Sequence, residues 1–196
     1  DERVKMISHA SPQGIGASFW DGVDYATNET ISMLPGDGEN NPGEIIRYLN
    51  LLNHVDIVIP FVFNPQVRPL WRSALSFLYR FIINTTFLTN FNYTNGTVLY
   101  RKSILEGLGI RNTSFFFQTD ILVRSVKRGY LFAEVPYCLG TRGSGDSKAV
   151  SYPSLKNVIK GYFRLLRDFY FNKEWNSSQP FVENTSTAQR HKASPE

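Results

Sequence analysis

The sequence predicts an α/β domain built on a mostly parallel sheet flanked by helices. Three observations predict it. Short runs rich in β-branched and aromatic residues, at 30–34, 55–63 and 131–135, alternate with longer segments of helical period, the pattern of strands joined by crossover helices. The 55–63 run is nearly continuous in apolar residues, as expected of a strand covered on both faces. Polar, glycine-bearing loops follow the first and last of these runs, and ligands of open α/β sheets bind outside the carboxyl ends of the strands.

Taken in order, Val4-Lys5-Met6-Ile7-Ser8 reads as a short buried strand. A helix follows over 16–27, with Ala17, Trp20, Val23 and Ala26 near helical spacing. After the 30–34 strand, the turn-rich stretch Pro35-Gly36-Asp37-Gly38-Glu39-Asn40-Asn41-Pro42 leads to a helix whose Ile45, Ile46, Leu49 and Leu52 share one face. Asp56 falls at the start of the 55–63 strand and is given no chemical role. Residues 70–88 are helical and aromatic-rich, a polar knot spans 90–96, and a strand is expected at 97–100. Helices over 102–108 and 119–128 precede the strand at 131–135. The clearest helix is 155–170: Leu155, Val158, Ile159, Tyr162, Phe163, Leu166, Phe169 and Tyr170 form an apolar face, and Lys156, Lys160, Arg164 and Arg167 a basic stripe. Beyond Trp175 the composition is polar without periodicity, which predicts a disordered tail.

With 196 residues, 42% hydrophobic and 19% charged, the chain can bury the core of one domain. Its one cysteine, Cys138, excludes a disulfide framework and a cysteine-based zinc site. His9, His54 and His191 lack metal-ligand spacing. No apolar run approaches the roughly 18 residues of a bilayer span, and the N-terminus lacks a signal-peptide pattern. A cytoplasmic location is therefore expected, and the seven N-x-S/T sequons are read as a by-product of Asn- and Thr-rich composition. The net charge of +4 is too modest to imply nucleic acid. The basic excess is concentrated between residues 142 and 173.

Two motifs carry the chemistry. Arg142-Gly143-Ser144-Gly145-Asp146-Ser147-Lys148 follows the 131–135 strand and joins two cations, hydroxyls and glycines in seven residues. Such a loop suits phosphate, because glycine lets the backbone approach, Arg offers a fork and Lys a point charge. A solvated linker has the same composition. Upstream, Asp37 lies between Gly36 and Gly38 and before Glu39, where a carboxylate at a strand end is placed for a divalent cation. It equally suits the cap of the helix beginning near Pro42. A metal-bound diphosphate needs both an acidic and a basic loop, so the two support one another.

The order of these segments, with Gln118-Thr119-Asp120, Glu134-Val135-Pro136 and Arg142-x-x-Gly145-x-Ser147-Lys148, resembles the family 2 glycosyltransferases, and within them the dolichol-phosphate mannose and polyprenyl-phosphate group. The likeness runs from about Val4 to Lys148. It implies a GT-A, Rossmann-like fold and transfer of a sugar from a UDP- or GDP-linked donor, with Mg or Mn as cofactor. The implied mechanism is metal-assisted inverting displacement. The implied acceptor is a polyprenyl or dolichyl phosphate, or else a saccharide hydroxyl. By the resemblance, Gly36, Asp37, Gly38 and Glu39 form the donor diphosphate loop, with Asp37 the metal ligand. Pro35 stands where the family has its first metal carboxylate, which also leaves open a degenerate, non-catalytic sugar-nucleotide or phosphate-binding domain. Thr94 and Gly96 match the family's Thr-Ser-Gly segment, with Asn92 in its acidic place, and Gln118 and Asp120 match its Phe-Gln-x-Glu. Val62 stands where an Arg usually follows the central strand, and Arg72 matches a second Arg just after a Trp. Arg142, Gly145, Ser147 and Lys148 match the phosphate-binding motif at every fixed position.

Each assignment has a plainer counterpart. Asp120 holds a sugar hydroxyl if the acceptor is a lipid phosphate, is a general base if the acceptor is a hydroxyl, or is a charge favoured at a helix start. Arg72 acts on substrate or merely covers Trp71. The helix over 155–170 lies on an anionic membrane surface, or is a solvated basic face over a packed core. The organisation expected is a catalytic domain at 1–152, a basic amphipathic helix at 153–175 and a disordered tail at 176–196. Because the chain runs almost at once into the 4–8 strand, the domain is expected to lack its N-terminal strand or strands with the nucleotide-gripping segment. The 196 residues alone are then expected to have little activity.

Overall fold

The computed structural model describes residues 2–67, 69–140, 152–172 and 180–193. The elements are α1 (Ile15–Tyr25), β1 (Thr30–Ser32), α2 (Pro42–Ile46), β2 (Ile57–Val62), α3 (Leu70–Phe87), β3 (Leu99–Arg101), α4 (Lys102–Gly107), α5 (Phe117–Lys127), β4 (Phe132–Tyr137), α6 (Tyr152–Phe171) and α7 (Ser186–Ala193), with 3-10 turns at Leu49–Asn53 and Pro65–Val67. Helices and strands alternate as the periodicity predicts. Two expectations fail. Residues 4–8 form no strand and are exposed throughout, since this alternating segment finds no neighbouring strand to pair with. Within the expected disordered tail, residues 180–193 are ordered and end in α7.

The sheet has the order β1-β3-β2-β4. β2 and β4 pair in parallel from Ile57↔Phe132 to Val62↔Tyr137, while β3 is antiparallel to both β1 and β2. Three of the four strands thus run in one direction and β3 runs against them. The carboxyl ends of β1, β2 and β4 therefore open on the same edge. Ile57, Val58 and Ile59 are wholly buried, as their continuous apolar run requires. One core layer gathers Phe19, Val23, Phe87, Tyr100, Phe117 and Leu122; the other gathers Ile45, Leu52, Val58, Leu99 and Tyr137. Phe19 stacks against Phe117 at a centroid distance of 4.9 Å.

α6 is keyed into this core. Leu165 is buried, and Tyr162 and Phe169 meet the ring of Phe87 edge-on at 6.0 and 5.9 Å. Gly161 makes the contact with α5 possible, because a Cβ there would stand 2.8 Å from the Phe116 ring. Only part of the apolar face predicted for α6 is covered, however. Leu155, Ile159, Phe163 and Tyr170 face outward.

The tail is ordered by Asp56, which is fully buried at the foot of β2. Its carboxylate accepts from the Ser186 N–H at 2.6 Å, the Thr187 N–H at 3.0 Å, the Thr187 hydroxyl, and Arg101 Nε at 3.2 Å. A residue 130 positions upstream therefore caps α7.

Candidate active site

The acidic loop leaves β1 after Ser32 and ends at α2. The cap of α2 is Asn41, whose side-chain oxygen accepts from the Gly43 N–H at 2.9 Å. Asp37 does not serve there: its carboxylate accepts from the Glu39 N–H at 3.2 Å, closing a turn through Gly38, whose φ is 77°. Of the two readings of Asp37, the helix cap is thus excluded. Gly36 and Gly38 are exposed on this turn, and Asp37 and Glu39 are half-buried.

The exit of β4 is fastened to this loop. Asn64, just beyond β2, donates from Nδ2 to the Leu139 carbonyl and accepts from the Leu139 N–H, both at 2.9 Å, so its amide continues the β2–β4 pairing one step past the strands. The Gly140 N–H then donates to the Glu39 carbonyl at 2.9 Å. Tyr48 holds the Pro136 carbonyl at 2.6 Å, and Glu44 accepts from the Cys138 N–H at 3.3 Å. Chain entering the segment with Arg142, Gly145, Ser147 and Lys148 thereby starts against the acidic loop. Those four residues lie outside the described residues.

A second group forms at the start of α5. Gln118 donates to the Gly96 carbonyl at 2.5 Å, and Gly96 packs so near β2 that a Cβ would stand 3.0 Å from the Pro60 carbonyl. The Thr119 hydroxyl meets Tyr79 at 2.8 Å and lies 3.4 Å from the Asn95 side chain. Thr94 is buried in the same loop. Glu134 on β4 accepts from the Asn92 backbone at 2.6 Å and from its side chain at 2.7 Å. The structure thus brings Gln118 to Gly96 and Thr119 to Asn95, with Thr94 buried in the same loop, while the Asp120 carboxylate turns to Arg124.

Asp120 is 3% exposed and Arg124 wholly buried. Arg124 Nε donates to Asp120 at 3.1 Å, and Nη2 reaches Asp168 on α6 at 2.8 Å. Burial pushes the Asp120 carboxyl above its usual range, against the opposing pull of Arg124. Burial likewise raises the Tyr79 phenol. Arg72 stands apart: its guanidinium lies 5.6 Å from the Trp71 ring centre, and among the described residues no hydrogen bond or ion pair joins it to either group.

Sequence reasoning missed Arg124, Asp168, Asn64 and Tyr79. The first left a signal, because Asp120 and Arg124 have the i,i+4 spacing of a helical ion pair. Asp168, amid the apolar positions of α6, left a fainter one.

A cation fits the acidic loop in one way only. Among the described residues no group of three His, Cys, Asp or Glu side chains could hold a metal, and Pro35 supplies no carboxylate. Mg²⁺ is commonly held by one or two carboxylates plus substrate phosphates. Asp37 at an open glycine turn would meet that lesser demand if a diphosphate supplied further oxygens.

No family model matches the chain. Polyprenol monophosphomannose synthase from Mycolicibacterium smegmatis is 28% identical over 179 residues, covering 84% of this chain and 65% of that protein. Glucosyl-3-phosphoglycerate synthase from Mycobacterium tuberculosis, in complex with Mn²⁺, UDP and phosphoglyceric acid, superposes with a TM-score of 0.62 at 14% identity, over 81% of this chain and 56% of that one. The same enzyme with phosphoglyceric acid gives 0.63 at 13% identity, over 84% and 57%. The chain therefore spans just under two thirds of the curated relative and just over half of these solved structures. Over most of its own length the chain is similar to a polyprenol monophosphomannose synthase, and it shares the GT-A fold of the solved glycosyltransferases.

Proposed function

We propose that the protein transfers a sugar from a UDP- or GDP-linked donor to a polyprenyl phosphate at a membrane surface, with inversion at the anomeric carbon. The observation that carries this reading is the match to a polyprenol monophosphomannose synthase across 84% of the chain. A phosphate oxygen of the acceptor forms the new bond to the anomeric carbon as the bond to the donor diphosphate breaks. Asp37 and the Gly36–Gly38 turn face the diphosphate, which departs with the bonding pair. A divalent cation shared between Asp37 and the diphosphate oxygens would neutralise charge on the leaving group. Neighbouring structures that contain Mn²⁺ or Mg²⁺ with UDP support that cofactor. Arg142 and Lys148, by their motif, are assigned to the phosphates.

The state of Asp120 favours a phosphate acceptor over a hydroxyl. A phosphate is already anionic and needs no base, whereas Asp120 is buried and committed to Arg124. Two exposed apolar faces favour a lipid. Leu70, Trp71, Leu75, Phe77, Leu78 and Phe81 of α3 are exposed, as are Leu155, Ile159 and Phe163 of α6. Lys156, Lys160, Arg164 and Arg167 border the second face and complement anionic lipid. Among the described residues no helix is long and apolar enough to cross a membrane, so these faces support contact at the surface.

The test incubates the full protein with Mn²⁺, UDP- or GDP-sugars and polyprenyl phosphate, and follows sugar into the lipid fraction. Lipid-linked product is expected, with a loss of about a hundredfold or more in Asp37→Asn. Nucleotide binding without transfer from any donor would instead establish the non-catalytic reading, which Pro35 favours.

A further inference from the structure

The polar groups on the inner face of α5 form a chain that continues beyond the motif residues. Asp120 sits in the first turn of α5 beside Gln118 and Thr119, and no side chain caps this helix end. Arg124, one turn on, divides its guanidinium: Nε holds Asp120 Oδ2 at 3.1 Å and Nη2 holds Asp168 Oδ2 at 2.8 Å. Arg167, on the basic stripe of α6, donates to Asp168 Oδ1 at 3.3 Å. Two carboxylates and two guanidinium groups alternate from the α5 wall to the outer surface of α6, and the four charges cancel.

A buried pair of this kind contributes little net stability, because desolvation offsets most of the attraction. Its geometric effect is larger. A guanidinium fork fixes two partners in one plane, so the place of Asp120 depends on where α6 holds Asp168. α6 is seated by the Tyr162 and Phe169 rings against Phe87 and by Gly161 against Phe116, the residue preceding α5; the Tyr162 hydroxyl adds a bond to that of Thr86 at 2.8 Å, outside the charge chain.

We propose that Arg124 and Asp168 are positioning residues of the transfer site, setting the first turn of α5, and with it Gln118 and Asp120, through α6. This rests on the transferase reading above. α6 is on this account part of the site as well as an outer face.

The test compares two α6 variants of the full protein. Asp168→Asn cuts the chain, while Tyr162→Phe removes the bond to Thr86 and leaves the charges alone. With Mn²⁺, nucleotide sugar and polyprenyl phosphate, Asp168→Asn is expected to lower kcat about ten- to a hundredfold, the range of a small misplacement of reacting groups, with donor KM nearly unchanged. Tyr162→Phe is expected to keep kcat within about twofold, whatever stability it loses. An unchanged kcat in Asp168→Asn, or equal losses in both variants, overturns the proposal. Hydrogen exchange at the 118–120 amides reads the same link without turnover. Protection should fall in Asp168→Asn and persist in Tyr162→Phe, and equal protection in both also overturns it. Should Asp168→Asn not fold, Asp168→Glu keeps the charge and displaces it, with the same expected split. A wild-type protein that transfers nothing yet shows the exchange difference would defeat the transferase reading and leave the mechanical link standing.

Discussion

Helices α5 and α3 invert one another. α5 buries nine successive residues, Phe117 to Ser125, and five of them are polar: Gln118, Thr119, Asp120, Arg124 and Ser125. α3 buries Ile83 and Phe87 and leaves Leu70, Trp71, Leu75, Phe77, Leu78 and Phe81 exposed. Burying polar groups costs least when they are paired, and Gln118, Thr119, Asp120 and Arg124 find partners in Gly96, Asn95, Tyr79, Asp168 and one another, while among the described residues the Ser125 hydroxyl has none. An apolar face that remains outside has no such internal solution, and large exposed patches mark surfaces of interaction. The two helices depart from inside-apolar, outside-polar folding in opposite senses. α5 gathers polar groups within the protein; α3 leaves an apolar surface outside it.

The largest effect should come from removing the cation on which α5 depends. Arg124→Met leaves Asp120 and Asp168 close together without the guanidinium between them. The expected loss is about 3–5 kcal/mol in urea unfolding, as for other buried pairs stripped of one partner, a large share of the roughly 5–15 kcal/mol that holds a domain together. A loss below about 1 kcal/mol would mean that the α5 interior relaxes or hydrates freely, and the contrast with α3 would lose its basis.

Within α3, the comparison sharpens to two residues less than a turn apart. Ile83 is 1% exposed and Phe81 is 58% exposed. Deleting a single methyl group by Ile83→Val should cost about 0.5–1.5 kcal/mol, whereas removing the whole ring by Phe81→Ala should change stability by no more than about 0.5 kcal/mol. Chemical denaturation of the two variants settles the order. If Phe81→Ala costs more, the outer face of α3 is packed in solution and is not available to a lipid surface.

Local order was legible in the sequence; long-range pairing was not. The helical period over 70–88 and the continuous run at 55–63 reach the structure nearly unaltered, because each pattern is carried by neighbouring residues of one element. The turn of β3 against the other strands has no local signature, since three residues at 99–101 read alike in either direction. α7 was missed because its order comes from Asp56, far away in the chain, and its own composition resembles a solvated tail. At the candidate site, the resemblance singled out Gln118 and Asp120, and α5 carries both in its first turn. That Asn64 and the Glu39 carbonyl hold the exit of β4 could not be foreseen, for both contacts join segments about 75 and 100 residues apart.

The smallest predicted effect separates geometry from burial. Arg111 grips Asp24 with two bonds of 2.6 and 2.7 Å, a better fork than Arg124 makes with Asp120, yet both of its side chains are about half exposed. Water screens such a pair to about 0.2–1 kcal/mol. The hydrogen bond from Arg111 holds the Asp24 carboxyl below its usual range, while burial holds Asp120 above it despite its own arginine. The signs of the pH dependence are therefore opposite. The contribution of Asp24 is present above the ordinary carboxylate pKa of about 3.9 and is lost as pH falls through its lowered value. That of Asp120 is present below about 3.9 and is lost as pH rises through its raised value. Unfolding free energies of Asp24→Asn and Asp120→Asn, each subtracted from wild type across the acid range, should show differences that slope in opposite directions. Parallel slopes would mean that Asp120 is solvated like Asp24, and that α5 does not enclose its charges.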